Sequence, residues 1–229
     1  MTDNMSVTTT NSAAVVEQSL MAFGAGMSYQ SRTDVKSSFQ LASLVASKRY
    51  DQEDQAEQWF DTFIGALTQS GWTIVRRTFE REHIAGESLT LGNIAFKAMK
   101  ITGQALVGGA VGEAMISLAG QAVEGLGKVD EPQQLFSRNV KTKSSATVGL
   151  ASCLETSEGE VVMGVAAISS AASQTDLDTV VFEWKSTSSQ SYSGMAMLSF
   201  NKQVYNRLRE HVVGKLAERA LANVMDFDI

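Results

Sequence analysis

Apolar side chains recur at three and four residues through Ala56, Trp59, Phe60, Phe63, Ile64 and Leu67, placing two aromatic layers on one helical face. Acids from Asp51 through Asp54 suit the positive end of that helix's dipole, and Gly71 closes it. Trp72 then begins a β-like run through Ile74, Val75 and Phe79. The aromatic stripe reads as core and not as cofactor contact. Upstream, Val35, Phe39, Leu41, Ala42, Leu44 and Val45 predict a helix from Asp34 to about Arg49, capped by Thr33 or Asp34. Ala13 to Phe23 reads as a shorter helix, capped by Ser12 and ended by Gly24 and Gly26.

The pattern changes from Leu89 to Leu126, where Gly103, Gly108, Gly109, Gly112, Gly120 and Gly125 lie among alanines and aliphatics, with few charges. This predicts a Gly/Ala-rich central helix over 98–126. Gly127 to Gln134, which holds the only proline, Pro132, reads as a loop. The period then shortens to two. Val148, Leu150, Ser152 and Leu154 alternate with Thr147, Gly149, Ala151 and Cys153, Thr156 to Gly159 make a turn, and Val161, Met163 and Val165 return as a hairpin partner. Val180, Phe182 and Trp184 predict a third strand, and Tyr192 to Phe200 a fourth. A helix over 201–224, with Asn201 as its N-cap, carries the stripe Val204, Leu208, Val212, Leu216 and Ala220. Helices followed by a run of strands imply the α+β class: an antiparallel sheet of four to five strands covered by segregated helices. The expected organisation is a disordered arm over 1–12 and a single domain over 13–229. Its helical half spans about 13–126, 135–200 is mainly β, and the C-terminal helix follows.

With 229 residues and 44% apolar content, the chain can bury a core without staples, and one proline leaves no proline-rich linker at which to divide it. The net charge of −6 is interleaved, and the densest basic stretch, Arg76, Arg77 and Arg81, is answered by Glu80 and Glu82. That disfavours a nucleic-acid partner, which needs a basic cluster to displace counterions. A single cysteine, Cys153, permits no intramolecular disulfide and fits folding in a reducing cytosol. The first twelve residues lack the charged and apolar regions of a Sec signal, so any export would use another route. No stretch reaches the length of about 18 apolar residues that a membrane span requires.

Nucleophilic catalysis needs a Ser or Cys within reach of a base, and the chain has two histidines, His83 and His211, both in positions that read as structural. Cys153 falls among Ala151, Ser152 and Leu154, surroundings of a packed thiol. The motifs G-x-S-x-G, H-E-x-x-H, paired C-x-x-C and an EF-hand loop are absent, so neither a metal nor a cofactor is expected. Gly108-Gly109-Ala110-Val111-Gly112 lacks the Gly-Lys-Ser/Thr that completes a phosphate loop. Acidic clusters at Asp51, Glu53 and Asp54, at Glu155, Glu158 and Glu160, and at Asp176 and Asp178 all fall at predicted turns or helix starts, where solvated acids are ordinary.

Glycine in a helix costs about 1 kcal/mol relative to alanine, so the five between Gly103 and Gly120 imply close packing. One reading places the helix against the sheet, its small residues setting the interlayer spacing. The functional reading makes the protein a non-enzymatic interaction or assembly protein, virulence-effector or pore-former-like. In it, Gly108, Gly109, Gly112, Glu113 and Gly120 mark a helix that meets a second copy or a membrane. Gly108→Leu or Gly112→Leu would then disturb oligomers. A competing reading starts from Gly149, Ala151, Gly164, Ala166 and Ala167, beneath which an apolar cavity could hold a fatty chain, with Cys153 as acylation site. An enzyme of unrecognised type is the third.

Overall fold

The computed structural model describes residues 9–52, 54–82, 88–89, 109–141, 146–170, 184–185, 191–216 and 222–229. Its centre is a seven-stranded mixed sheet built from β1 (Ser12–Val16), β2 (Ser19–Phe23), β3 (Trp72–Glu82), β5 (Ala146–Glu155), β6 (Val161–Ser170), β8 (Ser191–Phe200) and β9 (Val224–Asp228). Their order across the sheet is β3-β8-β6-β5-β2-β1-β9. Two further short strands, β4 (Ser88–Leu89) and β7 (Trp184–Lys185), pair only with each other. All neighbours in the main sheet are antiparallel except β2 and β5, which run parallel with Ser19 opposite Gly149.

The α+β class therefore holds, but the sheet is mixed rather than antiparallel, seven strands replace the expected four to five, and helices and strands are interleaved along the chain rather than segregated; three local readings are also corrected. Ala13 to Phe23 is not a helix: β1 and β2 form a hairpin whose side chains are buried on both faces of the sheet. Ala14, Val16, Met21 and Phe23 point into one core and Ala13, Val15, Leu20 and Ala22 into the other. A strand covered on both faces shows no polar alternation, which removes the period-two signal. The C-terminal helix does not run to residue 224. It spans Lys202–Leu216, and residues 224–228 return as edge strand β9 along β1. Nor is Gly127 to Gln134 a loop throughout, because a helix over Asp130–Lys141 begins inside it. Pro132 lies in that helix's first turn, where its missing N–H has no intrahelical acceptor to lose. The third predicted strand is described only at Trp184 and Lys185, outside the main sheet, and β6 pairs directly with β8. The N-terminal residues nearest β1 are tied down: Thr10 accepts a hydrogen bond from Arg32, and Asn11 bonds Gln121 and the Ala25 N–H.

Helices α1 (Tyr29–Arg49), α2 (Ala56–Gln69) and α5 (Lys202–Leu216) cover one face, and α3 (Gly109–Leu126) and α4 (Asp130–Lys141) the other. Ser28 caps α1, its Oγ accepting the Ser31 N–H at 3.1 Å, and Asn201 caps α5 through the Val204 N–H at 3.0 Å. α1 thus starts five residues before the sequence pattern does, because Ser28 rather than Thr33 or Asp34 captures the first N–H groups. On α5, Tyr205 rather than Val204 is buried, its ring tilted against Phe200 at 5.1 Å. Gly71 ends α2 at φ +90°, and a Cβ there would lie 3.2 Å from the Asn201 carbonyl oxygen, so both conformation and closeness require glycine. The two core tryptophans satisfy their indole N–H groups on α1: Trp59 donates to Ser47 and Trp72 to Ser38, each at 3.0 Å.

A row of small residues crosses the sheet in register: Ser19, Gly149, Ala167 and Gly194 are successive partners on β2, β5, β6 and β8, ending at Phe79 on β3. The aromatic side chains of α1 and α2 fill this trough. Phe39 meets Phe63 edge-on at 5.0 Å, Trp59 stacks on Phe63 at 5.3 Å, and Phe60 lies over Gly194. Small strand residues beneath bulky helix residues keep the layers close.

Candidate functional site, a polar cleft at the first hairpin

The hairpin β1–β2 turns through two residues, Glu17 and Gln18, with Val16 opposite Ser19. Glu17 adopts φ +53° and is the non-glycine residue with positive φ among those described. Tight hairpins ordinarily place glycine, asparagine or aspartate there, and a bulkier side chain in the left-handed region costs about 1–2 kcal/mol. The surrounding elements hold the turn in place. The Glu17 N–H donates to the Asn223 carbonyl at 2.9 Å, its own carbonyl accepts Asn139 Nδ2 at 2.7 Å, and Gly149 N–H donates to the Gln18 carbonyl at 3.2 Å. Its carboxylate accepts Gln40 Nε2 at 2.8 Å and Asn223 Nδ2 at 3.3 Å.

A cleft of about 500 Å³ opens over this turn, within the range of small-molecule sites. Four parts of the chain wall it: the hairpin (Glu17, Gln18), α1 (Ser43, Leu44, Ser47), α4 (Arg138, Asn139) and the approach to β9 (Ala222, Asn223). Arg138 is exposed and donates from Nη2 to the Ala222 carbonyl at 2.9 Å. Beneath it, sharing Glu17, Gln18 and Ser43, a second space of about 10 Å³ is bounded by Phe39, Trp59, Phe63, Gly149 and Ala167. That volume suits roughly one water molecule. The cleft is thus lined by charged, carboxamide and hydroxyl residues beside Leu44 and Ala222, with no thiol, imidazole or metal-binding cluster among its described walls.

The residues singled out from the sequence lie elsewhere. Gly109 starts α3 at φ +64°. The buried stripe of that helix is Gly112, Met115, Leu118, Ala119, Ala122 and Leu126, packed on β2 and β5, and Ser152 Oγ donates to the Met115 carbonyl at 2.9 Å. Gly120 is half-buried, while Ala110, Val111, Glu113, Ala114 and Ser117 face outward. The helix is therefore one-sided, with Gly112 on its buried face. Gly103 and Gly108 lie outside the described residues, as do 98–102, His83, Glu53, Asp176 and Asp178.

Cys153 is fully buried between Phe23 on β2 and Met163 on β6, and burial pushes its thiol well above the ordinary cysteine range. It lines neither cavity. Of the strand positions read as leaving space, Gly149 and Ala167 border the water-sized pocket, and Phe39, Trp59 and Phe63 occupy the room above them. His211 is exposed on α5. Glu155 bonds Lys202 Nζ at 2.5 Å, and Glu160 accepts a hydrogen bond from the Ser199 hydroxyl, so both act between elements. Among the described residues, no helix is long and apolar enough to cross a membrane.

The cleft was missed because its residues stand far apart in sequence and none is distinctive alone. The Glu17-Gln18 turn lacks the Asn-Gly or Asp-Gly pair by which a tight hairpin is recognised.

No family model matches the chain, and no curated protein does. Among solved structures, one described as "Structure of the Evf virulence factor" aligns with a TM-score of 0.35 and 9% identity, covering 87% of this chain and 84% of that chain. At that score the likeness carries no conclusion about fold or function.

Proposed function

We propose that the protein is a non-enzymatic binding module that holds a small polar molecule in the cleft over Glu17. The observation that carries this reading is the convergence of four chain segments on one pocket about 500 Å³ in size, around a backbone turn kept in an unfavourable conformation. Strain of that kind persists where surrounding contacts over-determine it, and it concentrates at ligand sites. The chemistry of the walls favours binding over catalysis: carboxamides, hydroxyls, one carboxylate and one guanidinium orient a ligand, while the buried thiol is withheld from it. Amide NMR spectra recorded while a panel of polar metabolites is added test this. Shifts gathered at Glu17, Asn139 and Asn223 support the site. Shifts confined to other surfaces would remove it.

A second reading, assembly through α3, draws on that helix's outer face, where Ala110, Val111 and Ala114 are exposed and small enough for close approach of a second copy or a membrane surface. Native mass spectrometry of the wild type and of Ala114→Arg tests it. A discrete oligomer lost on substitution supports assembly, and a monomer in both samples opposes it.

A further inference from the structure

Resting on the cleft reading, we infer that the ligand is a small zwitterion of amino-acid or dipeptide size, its cationic end on Glu17 and its anionic end on Arg138. Five ion pairs tie charges together elsewhere in the described fold: Lys36 with Asp226, Arg77 with Asp61, Lys128 with Glu124, Lys202 with Glu155 and Arg209 with Asp34. Neither charge of the cleft belongs to one of them. Both hydrogen-bond donors to the Glu17 carboxylate are neutral carboxamides, and no cation among the described residues forms an ion pair with it. Each of its oxygens has accepted one hydrogen bond and retains a lone pair. Arg138 gives Nη2 to a backbone carbonyl, and no carboxylate among the described residues pairs with it, although a guanidinium has five N–H donors.

One pocket is therefore lined by an anion and a cation, neither in an ion pair among the described residues, together with Ser43, Asn139 and Leu44. A ligand carrying one charge would satisfy one group and desolvate the other without a partner. A neutral polyol would leave both in that state. A zwitterion answers both, and its carbon atoms meet Leu44 and Ala222. Charge-assisted hydrogen bonds at each end supply orientation as well as affinity.

The test is titration of the whole chain, followed by amide NMR and calorimetry, with glycine, L-alanine and glycylglycine, against ethanolamine, propionate and glucose. The expected result is that at least one zwitterion shifts the Glu17, Asn139 and Asn223 amides and binds roughly tenfold or more tighter than ethanolamine and propionate. Glu17→Gln and Arg138→Gln should each weaken it by a similar factor, and Arg138→Lys should restore part of the loss. Unchanged melting temperatures confirm that these variants fold. Equal binding of propionate or ethanolamine, or indifference to Arg138→Gln, overturns the zwitterion. Glucose bound at the same amides overturns the ligand class but keeps the cleft as a site. If no probe moves those amides, both readings fail.

Discussion

Gly194 lies on β8 beneath Phe60, and a Cβ built on it would stand 2.8, 2.8 and 2.9 Å from three atoms of that ring. Carbon atoms pack at about 3.5–4.0 Å, so Gly194→Ala requires the ring or the strand to retreat by roughly 0.7 Å or more. Retreat is obstructed. Phe60 is 1% exposed and lies against Phe63 at 6.4 Å and Phe79 at 5.9 Å, and Phe63 is itself held by Phe39 and Trp59. Overpacking by one methyl in such a site costs about 1–3 kcal/mol. For a chain of this size, 2 kcal/mol lowers Tm by about 4–8 °C. Urea unfolding followed by tryptophan fluorescence measures it, with the midpoint falling and the slope unchanged. Phe60→Leu alone should cost stability by opening a cavity, and adding Gly194→Ala in that background should cost less than it does in the wild type. A Gly194→Ala protein within about 0.5 kcal/mol of wild type would refute the argument, because it would mean the aromatic layer yields freely. The outcome bears on the neighbourhood of the cleft as well, since Phe39, Phe63 and Trp59 bound the small space that shares Glu17, Gln18 and Ser43 with it.

Other expectations follow from buried charge and ionisation. The Asp34 carboxylate, 5% exposed, takes two hydrogen bonds from Arg209 at 2.8 and 2.5 Å, tying α1 to α5. Arg209→Met should cost about 2–3 kcal/mol, discounted for the third of the arginine that is exposed, with at least half recovered in the Asp34→Asn double variant. A single-variant loss under about 0.5 kcal/mol in urea melts would contradict this. Burial raises the pKa of the Cys153 thiol above its ordinary value of 9.0, and that of the Tyr205 hydroxyl above 10.0. Both groups are therefore neutral in the folded state at pH values where the unfolded chain loses their protons. Their stabilisation is complete below about pH 9 and declines as pH rises, by about 1.4 kcal/mol per unit for each group. Cys153→Ala should flatten the decline between about pH 9 and pH 10, and an unchanged slope would count against a buried neutral thiol. The same burial predicts that a thiol reagent labels Cys153 only as fast as the protein opens, so labelling at the rate of a free thiol in native buffer would contradict it.

Much of the architecture follows from short-range pattern. The stripe Ala56 to Leu67 repeats at helical spacing and becomes α2, Asn201 caps α5 as its side chain permits, and β5 and β6 pair across the Thr156 to Gly159 turn where alternation and glycine place it. These elements were legible because each presents one face to the core and one to water, which writes its period into the sequence. β1 and β2 present no such contrast, being buried on both faces, and β9 is five residues long with only Phe227 fully committed to the core. Their identity depends on neighbours that local pattern does not reveal. α3 shows the reverse case. Its glycines and alanines look apolar all round, and only the sheet beneath decides that Gly112, Ala119 and Ala122 are the inner face while Ala110 and Ala114 are the outer.

The cleft belongs wholly to that second kind of information. Glu17, Gln40, Arg138 and Asn223 come together because β2 lies parallel to β5 in mid-sheet and β9 returns along β1, bringing the hairpin turn beside α4 and the chain leading into β9. By itself the sequence determined the periodic elements, α2, β5, β6 and β8 among them, since their period is written in residues two to four apart. Strand order, the left-handed turn at Glu17 and the meeting of Glu17 and Arg138 at one pocket were decided only by tertiary packing, because each depends on contacts between residues more than twenty positions apart.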